Sequence, residues 1–172
     1  MSDRELIISR EQIHNKVGEL AARISADYAG KKLVLIGVLN GAFIFLADLV
    51  RSLTVPHQID FIRVASYGNS DSSSGDIRMT KDVELNLTDK HVLLVEDIID
   101  TGTTLSWLTE KFRDKQVASV RICTLIDKKE RRQSEVEIDY AGFSLKHGFL
   151  VGYGLDYAEQ YRYLPEIYSL NL

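Results

Sequence analysis

Residues 91–112 read HVLLVEDIIDTGTTLSWLTEKF, and this stretch decides the fold class. It opens on an unbroken apolar run, His91 to Val95, short enough to be a strand buried on both faces. Three acids follow within five positions: Glu96, Asp97 and Asp100. A turn of threonines and glycine, Thr101 to Thr104, leads into a helix predicted over 103–112. Strand, acidic turn and helix in immediate succession are half of a parallel β-α-β unit.

The same alternation extends in both directions. Ser9 and Gln12 form a capping-box pattern, and Ile13, Val17, Leu20, Ala21 and Ile24 recur at helical spacing. They predict a helix over about residues 10–28, closed near Gly30. Leu33 to Leu39 and Val120 to Ile126 are two more buried strands, and Phe149 to Val151 a short fourth. Ala42 to Leu53 reads as a helix, Ile59 to Ala65 as a strand, and Met79 to Val83 as a further strand. The pattern predicts an α/β fold with a mainly parallel sheet flanked by helices. In such sheets ligands bind beyond the carboxyl ends of the strands, which places residues 38–41, 96–104 and 127–132 together.

Bulk properties narrow the function. The 172 residues are 45% hydrophobic and 27% charged, with no repeat and no proline-rich linker, so one domain over 1–172 is expected. A formal net charge of −4 argues against a nucleic-acid partner, although Lys128, Lys129, Arg131 and Arg132 form a local basic patch. The N-terminus lacks a secretory pattern and no apolar run approaches the roughly 20 residues that cross a bilayer, so no membrane partner and a cytoplasmic location are expected. The single cysteine, Cys123, sits in an apolar run, reads as a buried small hydrophobe and fits a reducing compartment. The histidines at 14, 57, 91 and 147 have no metal-ligand spacing, and Trp107 reads as packing.

The run 95–104 carries the chemistry. Glu96 and Asp97, taken as lying at the strand end where loop geometry takes over, offer carboxylates to sugar hydroxyls or to a hard cation. Gly102 permits close backbone approach, and the amides and hydroxyls of residues 101–104 at a helix N-terminus suit a phosphate. A Walker-type loop is excluded because no glycine-lysine pair follows.

VEDIIDTGTTL at 95–105 resembles the phosphoribosyl-diphosphate signature of the purine phosphoribosyltransferases of the hypoxanthine-guanine type. The resemblance extends over nearly the whole chain, through VLNGAFIF at 38–45, ASYGNSDSSSGDIRM at 65–79, LIDKKERR at 125–132 and FLVGYGLDYAEQYRYLP at 149–165. It implies a type I phosphoribosyltransferase fold with a small hood from the N- and C-terminal segments, and transfer of a 5-phosphoribosyl group to hypoxanthine or guanine in purine salvage. The products implied are a nucleoside monophosphate and pyrophosphate. By the resemblance Glu96 and Asp97 bind ribose and metal, Asp100 is the general base, and Thr101, Gly102, Thr103 and Thr104 hold the 5′-phosphate. Leu39, Asn40, Gly41 and Arg162 meet the pyrophosphate, although related chains often carry lysine or arginine at the position of Asn40. Lys128, Phe149, Leu150 and Asp156 read the purine, with Asp156 also a ligand of a second magnesium. Residues 66–78 form a catalytic lid that begins with Ser66 and Tyr67. Mg2+ is the implied cofactor, and a homodimer or homotetramer the implied assembly. The alternative is a nucleotide-sensing regulator on the same fold, which the intact Asp100 and Lys128 and the acidic net charge oppose.

Overall fold

β5 (His91–Ile99) is the strand around which the rest assembles. It lies between β2 (Leu33–Leu39) and β6 (Ser119–Lys128), parallel to both. Outside β2 lie β3 (His57–Tyr67), parallel to it, and β4 (Asp76–Lys81), antiparallel to β3. β7 (Tyr140–Leu145) continues the parallel set beyond β6, so the sheet order is β4-β3-β2-β5-β6-β7. The computed structural model describes residues 4–67 and 76–171. Residues 68–75, most of the segment expected to form a lid, lie outside the described residues.

Three helices cover the sheet among the described residues. α1 (Arg10–Asp27) and α2 (Phe43–Ser52) lie on one face, and α3 (Thr103–Arg113) on the other. The capping box at the start of α1 forms as predicted: the Gln12 amide donates to the Ser9 hydroxyl, and the Ser9 amide to the Gln12 side chain. Ile13, Val17, Leu20 and Ile24 are buried along one stripe of α1, each contributing roughly 1.5–3 kcal/mol for a fully buried apolar side chain. On the opposite face Leu105, Leu108 and Phe112 of α3 pack onto Val92 and Leu94, with Trp107 against the same cluster. Cys123 is fully buried, and burial pushes its thiol far above the ordinary range, so it is inert packing.

A second, three-stranded antiparallel sheet forms the hood. Its order is β1 (Arg4–Ile8), β9 (Ile167–Leu170), β8 (Phe149–Val151). Two sequence readings change here. Phe149–Val151 is a strand of the hood and not a fourth strand of the buried parallel sheet, and Phe149 is itself exposed. β5 also runs on to Ile99, because its ladder with β6 continues through Ile98↔Ile126 and Ile99↔Asp127 after the pairing with β2 ends at Gly37↔Val95. Glu96 and Asp97 are therefore strand residues, held by a ladder and not by a loop.

Candidate active site

The parallel strands deliver three turns to one end of the sheet. β2 ends in 39–41, with a cis peptide between Leu39 and Asn40. The Ala42 amide returns to the Val38 carbonyl at 3.3 Å and the Phe43 amide to that of Asn40 at 3.3 Å, which leads the turn into α2. A side chain at Gly41 would not fit: a Cβ there would stand 2.1 Å from Oδ2 of Asp97. The turn at Gly154 presses on the Gly41 carbonyl from the hood side. The backbone of 39–41 is thus squeezed between the acids of β5 and the hood.

Glu96 and Asp97 are both buried, at 9% and 8% exposure. The Asp97 amide donates to Oε1 of Glu96 at 3.1 Å, and the Ile98 amide to Oδ1 of Asp97 at 2.8 Å. Burial, and then the charge of Asp97, hold the Glu96 carboxyl well above the usual carboxylate range. Burial also raises Asp97, against the opposing pull of its hydrogen bonds and of the Arg162 charge. Two adjacent carboxylates out of water are costly unless a cation or donor array meets them. Hard oxygen ligands in a cleft that also takes phosphates suit Mg2+, which is held by one or two carboxylates together with substrate oxygens. Among the described residues no three metal-ligating side chains converge on one point. Asp156, the expected ligand of a second ion, lines the same cleft and is engaged by Arg162 at 3.1 Å.

Residues 100–105 form the turn expected to take a phosphate. Gly102, with φ of 80°, is the N-cap of α3 and offers no side chain to the first-turn amides. Those N–H groups precede the first intrahelical bond, from the Ser106 amide to the Gly102 carbonyl at 3.0 Å, and a helix start of this kind suits an anion; the Thr103 amide also donates to the Thr101 hydroxyl at 3.4 Å. The backbone of Gly102 is pressed by the Ser134 carbonyl, 2.6 Å from where a Cβ would be. The Thr101 carbonyl accepts from the amides of Gln133 and Ser134 at 2.8 and 3.1 Å.

Arg132 supports this turn, a role that sequence reading missed. Its guanidinium donates to the carbonyls of Asp100 (3.0 Å) and Ile99 (3.3 Å) and to Oδ1 of Asp127 (2.5 Å). Lys128 is also turned inward, with its side chain 9% exposed. The basic patch expected from the local sequence therefore does not stand as a four-residue surface; only Lys129 and Arg131 present exposed side chains. No periodicity announces this, because Arg132 reaches back across a turn to carbonyls more than 30 residues earlier in the chain.

Asp100 sits where these pieces meet. Its Oδ2 lies 3.9 Å from Nζ of Lys128 and 3.8 Å from the Arg131 guanidinium. Among the described residues its buried Oδ1 has no hydrogen-bond partner. A cleft of about 370 Å3 runs past it, lined by Leu39, Gly41, Glu96, Asp97, Thr101, Gly102, Thr104, Asp156, Arg162 and Ser66, among others. Lys128 adjoins this cleft through Asp100, and Thr103 belongs to the same turn, with its hydroxyl 3.4 Å from that of Ser134. Asn40 is exposed, and its amide oxygen accepts from Arg63. Tyr67 ends β3, and its side chain lies outside the described residues.

The residues expected to read the purine, Lys128 apart, come from the hood and the segment that follows β8. Phe149 makes an edge-to-face contact with Tyr157 at 5.3 Å between ring centres, and Leu150 beside it is buried. Arg162 donates to the Gly154 carbonyl at 2.7 Å and to Glu159 at 3.2 Å, besides its pairing with Asp156. It stands inside the cleft, close enough for its charge to act on Asp97.

A parallel sheet with a hood, an acidic pair, and an anion nest at the start of the helix after the central strand define a phosphoribosyl-transferring fold. The phosphoribosyl transferase domain family matches residues 9–158. The hypoxanthine-guanine phosphoribosyltransferase of Bacillus subtilis is 44% identical over 163 residues, 95% of this chain and 91% of the relative. The hypoxanthine phosphoribosyltransferase of Salmonella typhimurium is 42% identical over 165 residues, covering 95% and 93%. The crystal structure of a hypoxanthine phosphoribosyltransferase from Staphylococcus aureus superimposes with a TM-score of 0.94 at 41% identity, over 97% of this chain and 91% of that one. This chain belongs to the phosphoribosyltransferase family, in its hypoxanthine-guanine branch.

Proposed function

We propose that this protein transfers the 5-phosphoribosyl group of phosphoribosyl diphosphate to hypoxanthine or guanine, giving the nucleoside monophosphate and pyrophosphate in purine salvage. The observation that carries the reading is Asp100: a carboxylate with one buried, unpartnered oxygen, beside Lys128 and between the anion nest and the acidic pair. In the reaction the bond from C1′ to the pyrophosphate oxygen breaks as the bond from C1′ to N9 of the purine forms. The purine then sheds a ring proton, which Asp100 accepts at N7. Lys128 donates to O6, which favours a 6-oxo over a 6-amino group because the latter presents donors of its own. Phe149 stacks on the base, while Leu150 and Asp156 border it. The amides and hydroxyls of Thr101–Thr104 hold the 5′-phosphate, and Glu96 and Asp97 the ribose hydroxyls. Leu39, Asn40, Gly41 and Arg162 receive the pyrophosphate.

Mg2+ fits the acidic pair, whose raised carboxyls a cation would draw back towards ionisation; bound there, it supplies neutralisation of the pyrophosphate leaving group. Asp156 would serve a second ion from the hood side. Ser66 and Tyr67 begin a lid that excludes water from the reacting C1′. A nucleotide-sensing regulator is not favoured, since the named relatives are transferases. Among the described residues no helix is long and apolar enough to cross a membrane. A cytoplasmic location and a homodimer or homotetramer belong to the same proposal, the assembly being open to sedimentation velocity.

The decisive assay incubates the protein with phosphoribosyl diphosphate, MgCl2 and each base in turn, measuring nucleotide and pyrophosphate in equal amounts. Turnover is expected with hypoxanthine or guanine and not with adenine. No turnover with either 6-oxopurine overturns the proposal.

A further inference from the structure

The turn 39–41 has to hold a strongly anionic leaving group, yet none of its side chains is charged. Leu39 and Gly41 offer backbone only, and Asn40 is neutral. Arg162 faces the same cleft, but its guanidinium is already shared between Asp156 at 3.1 Å and Glu159 at 3.2 Å. A second guanidinium stands at the turn. Arg63 lies on β3 opposite Leu39 in the parallel register, and its Nη2 donates to Oδ1 of Asn40. The residue is exposed and, among the described residues, takes part in no ion pair, whereas Arg131, Arg132 and Arg162 each face a carboxylate. Val64 and Ser66, further along the strand, line the cleft, so Arg63 alternates to the other side of the sheet and reaches the turn past the end of β2. One of its five N–H donors is used on Asn40; its positive charge is not neutralised by that bond.

We propose that Arg63 is the cation of the pyrophosphate turn: acting through Asn40, it positions 39–41 and sets the affinity for phosphoribosyl diphosphate and pyrophosphate. It is a positioning residue and not a catalytic one, since it reaches the turn through Asn40 and does not line the cleft itself. The proposal rests on 39–41 being the pyrophosphate turn. Removing one uncompensated unit charge from the turn, partly screened by water, corresponds to about a fivefold to tenfold effect on the binding of a diphosphate held there.

The test compares Arg63→Gln, which keeps a donor for Asn40 but loses the charge, with Arg63→Lys, with Arg63→Gln combined with Asn40→Lys, and with Asn40→Lys alone. In Arg63→Gln the KM for phosphoribosyl diphosphate and the inhibition constant of pyrophosphate should both rise about fivefold to tenfold, with the hypoxanthine KM and the Tm unchanged. Arg63→Lys should retain most of the affinity, and Asn40→Lys should recover it in the Arg63→Gln background. The salt dependence of the phosphoribosyl-diphosphate KM should be shallower in Arg63→Gln than in the parent. A KM within about twofold of the parent overturns the assignment. If Asn40→Lys alone also leaves both constants unchanged, the placement of the pyrophosphate turn has failed too; if the added cation lowers them, only the role of Arg63 has. A defect that spreads to the hypoxanthine KM and the Tm, and that Asn40→Lys does not reverse, also overturns it, leaving Arg63 a structural residue.

Discussion

Asp100 illustrates how a carboxylate can be held ready at the residue scale. Its Oδ2 faces two cations at the outer limit of ion pairing, and its backbone carbonyl is pinned by Arg132, so the side chain is oriented without being consumed. Replacement by asparagine preserves shape and removes the ability to accept a proton. Asp100→Asn should lower kcat by about 100- to 10,000-fold while leaving the affinity for phosphoribosyl diphosphate within about threefold, as read by steady-state kinetics and calorimetry. Retention of most of the turnover would remove Asp100 from proton transfer. Asn40 teaches the converse. In the sequence it is a place where a cation is missing; in the fold its amide oxygen is taken by Arg63, 23 positions away.

At the scale of elements, the outer strands are anchored by a single buried acid. Asp60 on β3 accepts from the amides of Phe61 (2.8 Å), Glu84 (2.7 Å) and Leu85 (2.9 Å), and Lys81 at the end of β4 lies 3.6 Å away. Burial works to raise its carboxyl, but these amides and the lysine outweigh burial and hold it below its ordinary value. Asp60→Ala should cost about 1–3 kcal/mol, the loss expected when buried donors are left unpaired, measured by urea unfolding. The sign of the pH effect follows. A depressed carboxyl stabilises the fold above its unfolded pKa of about 3.9 and loses that contribution as pH falls through the folded value. The stability difference between parent and Asp60→Ala should therefore shrink in acid, and a difference that is constant with pH would count against this clamp. β1, β7 and β9 escaped sequence reading for a related reason. They are four to six residues long and half-exposed, and each becomes a strand only by pairing with a segment distant in the chain, as Arg4 does with Leu170.

Across the whole molecule, two apolar clusters lie on opposite faces of the parallel sheet, and the acidic pair is embedded where β5 leaves them. The site is thus placed at the expense of stability, since Glu96 is buried with its carboxyl raised by burial and by Asp97. A carboxyl raised in the folded state weakens the fold progressively as pH rises from its unfolded value, about 4.3, through its folded one. Without magnesium, Glu96→Gln should raise the Tm at pH 8 by about 2–4 °C, the shift that roughly 1 kcal/mol produces in a domain of this size. The advantage should vanish near pH 4, where the parent carboxyl is protonated, and the variant should lose activity. Equal gains at both pH values, or a less stable variant at pH 8, would contradict the account.

Apolar periodicity, a capping box and turn chemistry are local properties, and they suffice for the alternating strands and helices, the parallel class of the sheet and the turns at its carboxyl end. The chemistry of 95–104 is legible for the same reason, because acids, glycine and threonines act there within ten consecutive positions. Strand order, the separate hood sheet, the extension of β5 through Glu96 and Asp97, the inward turn of Lys128 and Arg132, and the pairing of Arg63 with Asn40 were decided by tertiary structure. Each depends on groups that meet in space after long chain separations, and only the closed fold determines which of them are buried, paired or left with a free oxygen.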